Sequence, residues 1–218
     1  MAHRSDPRLR VLHALRLKGF ADAATLGTAV GLDPPAVGVH LDSLTSEGLA
    51  AFRAGRRPGW TLTAAGREEH RRLVAAELAA VGCRDAVHDA YGVFLGLNPE
   101  LLAACTAWQL REVDRSQVPN DHSDPAYDGA VLARLQRIDG AVRPACAELA
   151  ACLDRFSGYQ PRLSRARSLV EAGEAEWLTR PDLDSYHSVW FELHEDLLVT
   201  LGLERGAESE RLLTRTEP

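Results

Sequence analysis

LGTAVGLDPPAVGVHLDSLTSEGLA, residues 26–50, is the stretch on which the fold of this chain turns. Gly31, Leu32 and Asp33 make a tight turn between two short runs with helical spacing. Asp33 is placed to accept from the free N–H groups that open the second run, and Pro34 and Pro35 occupy its first turn, where a missing N–H costs nothing. Val37, Leu41 and Leu44 then recur at helical spacing, which assigns them to a buried face, and Gly48 ends the helix. Ala36, Gly38, Val39, His40 and Ser43 are left to face outward. Upstream, Leu9, Leu12, Leu15 and Leu17, with Val11 between them, predict a first helix that Gly19 stops, and Asp22 is a cap for a short second helix through Leu26 and Val30.

Downstream lies FRAGRRPGWTLTAAG, residues 52–66. Leu49 to Arg53 and Trp60 to Thr63 read as the two strands of a hairpin, with Gly55, Pro58 and Gly59 shaping a turn that carries Arg56 and Arg57. Thr63 is a cap for a further helix through Glu77. Helix, helix-turn-helix, two-stranded hairpin and trailing helix, in that order, resemble the winged-helix transcriptional regulators of the MarR-like and ArsR-like kind over roughly the first 80 residues. The resemblance implies a bacterial protein that binds double-stranded DNA, with the third helix in a major groove and the wing on the backbone or in a minor groove. It implies contacts from Ala36, Gly38, Val39, His40 and Ser43 and from Arg56 and Arg57, with Arg53, Arg67 and the arginines of the first helix as weaker phosphate candidates. One departure stands out: the third helix has no Arg, Lys, Asn or Gln, the side chains that grip guanine or adenine edges through two hydrogen bonds. Specificity then rests on DNA shape and the half-site spacing of a dimer, or the module has turned toward a protein partner.

Charge supports a division of labour. Residues 1–82 hold 11 Lys and Arg against 8 acids, a balance of +3, whereas the remainder holds 14 against 23, a balance of −9. Lys18 is the only lysine among the 25 basic residues, a bias expected of a GC-rich genome. The 218 residues carry no apolar run of membrane-spanning length, and MAHRSDPRLR is unlike a signal peptide, so a soluble, cytoplasmic protein is expected. Cys83, Cys105, Cys146 and Cys152 have no metal-site or redox spacing and are expected as reduced, mostly buried thiols.

The expected fold class is mainly α: a winged helix over 7–82, an all-helical dimerisation and effector domain over 83–205, and a flexible charged tail over 206–218. In the second domain, helices are expected at about 84–95, from a cap at Asn98 onward, and at 127–138, 142–156, 162–172 and 182–202, with a polar loop over 113–125. The stretch from Arg155 to Arg205 is similar to a C-terminal region of winged-helix regulators from high-GC bacteria. Trp108, Tyr159, Trp177, Tyr186, Trp190 and Phe191 make this half aromatic, as core, dimer interface or lining of an effector pocket. Arg155, Arg162, Arg165 and Arg167 hold an anionic effector or pair with carboxylates. At 100° per residue Asp184, His187 and His194 share a stripe that is a candidate metal site, with His88, Asp89 or His122 to complete it; interface or satisfied polar roles compete for them, and no cofactor is expected. Enzyme motifs are missing: there is no GxSxG, Walker A, GxGxxG or HExxH. The leading expectation is a homodimeric DNA-binding regulator with a possible small-molecule effector, not an enzyme and not a membrane protein. A winged-helix protein-interaction module and a metal-responsive sensor are the alternatives.

Overall fold

A computed structural model describes residues 1–113 and 115–203. The expected tail over 206–218, and the end of the expected second domain, lie outside the described residues. Within them the chain is mainly helical, with two small two-stranded antiparallel sheets. The described residues divide into two compact units: Met1–Asp85 with Leu153–Arg155 and the chain from Glu195 to Leu203, and Ala86–Cys152 with Phe156–His194.

The first unit begins with α1 (Pro7–Lys18), α2 (Ala23–Val30) and α3 (Pro34–Ser46). Each starts as its sequence dictates. The carboxylates of Asp6, Asp22 and Asp33 accept from the backbone N–H of Arg8, Thr25 and Ala36 at 2.9, 2.7 and 2.8 Å. The turn from α2 to α3 bends at Gly31, whose φ of 62° is left-handed. Val37, Leu41 and Leu44 are fully buried, with Leu12, Leu15 and Leu26, in one apolar cluster.

A hairpin follows, β1 (Ala50–Arg53) against β2 (Gly59–Leu62), registered Ala50 to Leu62 and Phe52 to Trp60. Period-two geometry puts these four on one face, where Ala50 and Leu62 join the core and Trp60 packs beside it. Ala21 extends the sheet by one residue, accepting from the Trp60 N–H at 2.8 Å and donating to its carbonyl at 3.1 Å. Then α4 (Ala64–Val81) is capped by Thr63, whose Oγ1 accepts from Gly66 N–H at 3.0 Å and donates to the Gly48 carbonyl at 2.7 Å. A Cβ at Gly66 would lie 1.9 Å from the Leu49 carbonyl oxygen, so the TAAG sequence is what lets α4 close on the start of β1.

The second unit contains α5 (Arg84–Gln109), β3 (Leu110–Val113), β4 (Ser116–Pro119), α6 (Pro125–Cys152), α7 (Tyr159–Glu171) and the first part of α8 (Tyr186–Leu201). Here several expectations are corrected. The unit is not all-helical: part of the expected polar loop is the hairpin β3–β4, with Arg115 at a φ of 65° next to its turn. Its eight paired positions, LREV and SQVP, are too polar to show a strand period. The helices expected at 84–95 and from Asn98 are one continuous helix with Pro99 inside it. Asn98 does not act as a cap; its Oδ1 accepts from Trp190 Nε1 at 3.0 Å, a tertiary contact that keeps the helix running. Likewise α6 absorbs the expected break after Ile138 and carries Pro144 internally. Finally, α8 starts at Tyr186 rather than near Asp182.

Two glycines in the first unit should respond to alanine with opposite signs. Gly66→Ala meets backbone that no rotamer change can relieve and is expected to lower stability by roughly 2–3 kcal/mol or more. Gly38, with nothing within 4 Å of an added Cβ, is in a helix interior. There Gly38→Ala should gain about 0.5–1 kcal/mol. Urea unfolding of both variants at neutral pH measures the contrast.

Candidate nucleic-acid interface

The outward side of α3 and the β1–β2 hairpin hold Ala36, Gly38, Val39, His40, Ser43, Arg53, Arg56 and Arg57, while the weaker phosphate candidates lie on α4 (Arg67) and α1. On α3, Val39 is 69% exposed, while Ala36, Gly38, His40 and Ser43 are only partly so. The Ser43 hydroxyl is already committed, donating to Glu47 Oε1 at 2.9 Å, and Glu47 also receives Arg8 at 2.6 Å. These bonds hold the Glu47 carboxyl below the usual carboxylate range, the one from Arg8 contributing most. Arg8 is thus occupied at the end of α3 and Ser43 faces its own helix. The sequence reading missed Asp42, which is exposed one helical turn from Val39. Its i, i+3 spacing from Val39 is the signal in the sequence, while its carboxylate differs from the cationic and amide side chains usual on a base-reading helix.

At the hairpin, Arg53, Arg56 and Arg57 are exposed, and among the described residues none has an ion-pair partner. The neighbouring α4 differs: Arg71 and Arg72 pair with Glu68 and Glu69, and Arg67 donates to the Leu62 carbonyl at 3.0 Å. Arg10 on α1 donates to the Val30 carbonyl. The hairpin arginines therefore keep their charge free for an incoming anion. Phe52, 48% exposed, leans on Trp60 with ring centroids 4.7 Å apart.

A second constellation in the first unit was not foreseen. His13 on α1 lies between His70 on α4 and Asp196 on α8, with Nδ1 2.9 Å from His70 Nε2 and Nε2 2.9 Å from Asp196 Oδ1. All three are buried, at 5%, 1% and 2% exposure. The carboxylate fixes an N–H on His13 Nε2, and His70 adapts its tautomer to the other ring nitrogen. Alongside, Arg155 pairs with Glu77, approaches Asp196 at 3.9 Å and donates to Thr200 Oγ1 at 3.0 Å. His70 is pushed down to about 3 by burial first, then by His13 and the nearby guanidiniums of Arg16 and Arg155.

In the second unit the structure does not gather the stripe proposed for a metal. Asp184 precedes α8 and takes two hydrogen bonds from Arg162, at 2.8 and 2.7 Å, while Arg162 also reaches Glu192 at 2.8 Å. His194 stacks on Phe94 at 4.7 Å, and burial lowers the pKa of His187. No group of three or more His, Cys, Asp or Glu among the described residues is placed to hold a metal ion. The arginines considered for an anionic effector have partners: Arg167 meets the buried Asp139 at 3.4 Å and Glu171 at 2.5 Å, and Arg165 lies over Trp177 at 5.3 Å. Of the aromatic residues, Trp108, Tyr159, Tyr186 and Trp190 are buried, Trp177 is half-buried and Phe191 is 49% exposed. Cys83, Cys105 and Cys146 are buried, Cys152 is half-buried, and none of the four is in a disulfide among the described residues; burial pushes Cys105 up to about 12 and Cys146 to about 11. No described helix is long and apolar enough to cross a membrane.

Comparison of the chain with protein-family models, with curated proteins and with solved structures finds no match.

The depressed His70 pKa has a definite sign. The unfolded chain takes up a proton near pH 6.5 that the folded protein refuses until about pH 3, so stability falls as pH drops below about 6.5. Between pH 7 and pH 5 this site should cost about 2 kcal/mol. His70→Gln keeps a donor near the Nε2 position without titrating, so its loss over the same interval should be smaller by about that amount, read from urea unfolding at the two pH values.

Proposed function

We propose that this protein is a DNA-binding transcriptional regulator whose first unit is a winged helix. The observation that carries the reading is the hairpin turn displaying Arg56 and Arg57, exposed and without ion-pair partners among the described residues, immediately after a helix-turn-helix whose second helix turns an uncommitted face to solvent. The order of elements supports it, as does the sheet bridge from Ala21 to Trp60, which anchors the hairpin next to the helical core. Docking α3 in a major groove would let the hairpin arginines neutralise phosphates or enter the minor groove, where guanidinium favours the enhanced negative potential. In this proposal the second unit dimerises the protein and responds to a small-molecule effector, and the protein works in the cytoplasm.

One observation favours a different partner. Val39 and Phe52 are exposed apolar side chains at 69% and 48%, and α3 lacks the usual base-reading residues, a combination that also suits a protein surface. Salt separates the two readings, because phosphate contacts release counterions and apolar protein contacts do not.

Fluorescence anisotropy of the full chain on the duplex upstream of its own gene, with a scrambled duplex alongside, tests the proposal over about 50–200 mM salt. The upstream duplex should bind more tightly. Arg56→Ala/Arg57→Ala should weaken binding roughly tenfold or more and reduce the slope of log K against log salt by about 2. Feeble, equal binding to both duplexes, unchanged by the double substitution, would favour the protein partner.

A further inference from the structure

The face of α3 that remains uncommitted is chemically unusual. At Gly38 an added Cβ would find nothing within 4 Å, and the adjoining Val39 stands 69% exposed. Asp42, exposed, follows it at i+3, which places the two Cβ atoms about 5–6 Å apart on one face. Ser43 is occupied by Glu47. An isopropyl group in a major groove finds one apolar feature on the base edges, the 5-methyl of thymine. A carboxylate is repelled by phosphates and is matched there by an amino group, above all the cytosine N4. The attraction that brings such a face to DNA must come from elsewhere, and Arg53, Arg56 and Arg57 supply it.

We infer that α3 reads its site through a thymine methyl at Val39 and a cytosine amino group at Asp42. The 5–6 Å separation against a rise of about 3.4 Å per base pair puts the two bases within about two pairs of each other. Sequence discrimination is then apolar and negative in sign: Asp42 penalises every position lacking a donor, while the hairpin provides affinity that is indifferent to sequence. This inference rests on the DNA-binding reading above.

The test begins with selection of the best duplex from a randomised pool by the full chain, followed by replacement of each thymine in turn by uracil, which removes only the methyl. One position should cost the wild type about fourfold, the worth of one buried methyl, and Val39→Ala should bind the thymine and uracil duplexes alike. Asp42→Asn should lose roughly tenfold discrimination at a cytosine within two base pairs while binding scrambled duplex more tightly. General damage would lower both affinities instead, and both substitutions are at exposed positions, with melting curves as the control. If uracil is tolerated at every position, if Val39→Ala keeps the loss, or if the pool yields no preferred sequence although duplex is bound through Arg56 and Arg57, the inference is overturned and the DNA-binding reading stands. If no duplex is bound at all, both fall together.

Discussion

The first unit depends on burying charge in its own interior. Asp196, Glu77 and Arg155 are all sequestered from water, an arrangement that is costly unless each charge finds compensation. His13 provides part of it, linked to Asp196 on one side and His70 on the other. Removing one partner from such a set leaves a bare charge in a medium of low polarity, at a cost of about 3–5 kcal/mol. The set therefore demands that α1, α4 and the end of α8 be present together. Arg155 and Asp196 thereby tie Leu153–Arg155 and the described residues from Glu195 to Leu203 to the unit built mainly from the first 85 residues. Apolar burial acts with the charged set: Leu153, Leu197, Leu198 and Leu201 of those segments are buried, as are Leu12, Leu15, Leu41 and Leu44 in the cluster of the first helices.

The same economy of charge shapes the surface. Along α1 and α4 several basic groups are spent on nearby partners: Arg8 on Glu47, Arg71 on Glu68, Arg72 on Glu69 and Arg67 on a carbonyl. The hairpin contains no acid between Ala50 and Leu62, and Arg53, Arg56 and Arg57 have no ion-pair partner among the described residues. A rigid base is needed if such a protrusion is to place charge accurately. Paired backbone bonds to Ala21, the close approach of Gly59 to Phe20 and the fit of Gly66 against Leu49 provide one. The proposed regulator thus keeps its attraction for a polyanion on the hairpin and leaves α3 free to discriminate. In the second unit, by contrast, Arg162 and Arg167 are consumed in bonds with Asp184, Glu192, Asp139 and Glu171, which turns apparent anion-binding residues into braces between elements.

Where sequence reading succeeded and where it failed follows the range of the interactions involved. Asp22, Asp33 and Thr63 cap helices by bonds to residues three positions away, and all three were legible. So was the buried face of α3, because Val37, Leu41 and Leu44 obey a period intrinsic to the helix. Asn98 followed by Pro99 obeys a local rule for a helix start just as well, yet the helix continues through it because Trp190, 92 residues away, claims the asparagine side chain. The hairpin β3–β4 was hidden because pairing of LREV with SQVP, not alternation of apolar residues, defines it. Asp42 was visible and overlooked, since its type did not match the expected chemistry of a base-reading helix.

Alone, the sequence determined the elements of the first unit, their order, the face that α3 buries and the arginines at the hairpin turn. Each follows from caps, turns and periodicities that act over a few residues, within reach of the backbone's own geometry. Tertiary structure decided that His13 would meet His70 and Asp196, at separations of 57 and 183 residues, and that Arg162 would brace Asp184 while Arg56 and Arg57 had no ion-pair partner among the described residues. A charged side chain has no preferred partner until folding removes water and sets which opposite charge lies within about 4 Å, and that choice is a property of the packed chain rather than of any local stretch.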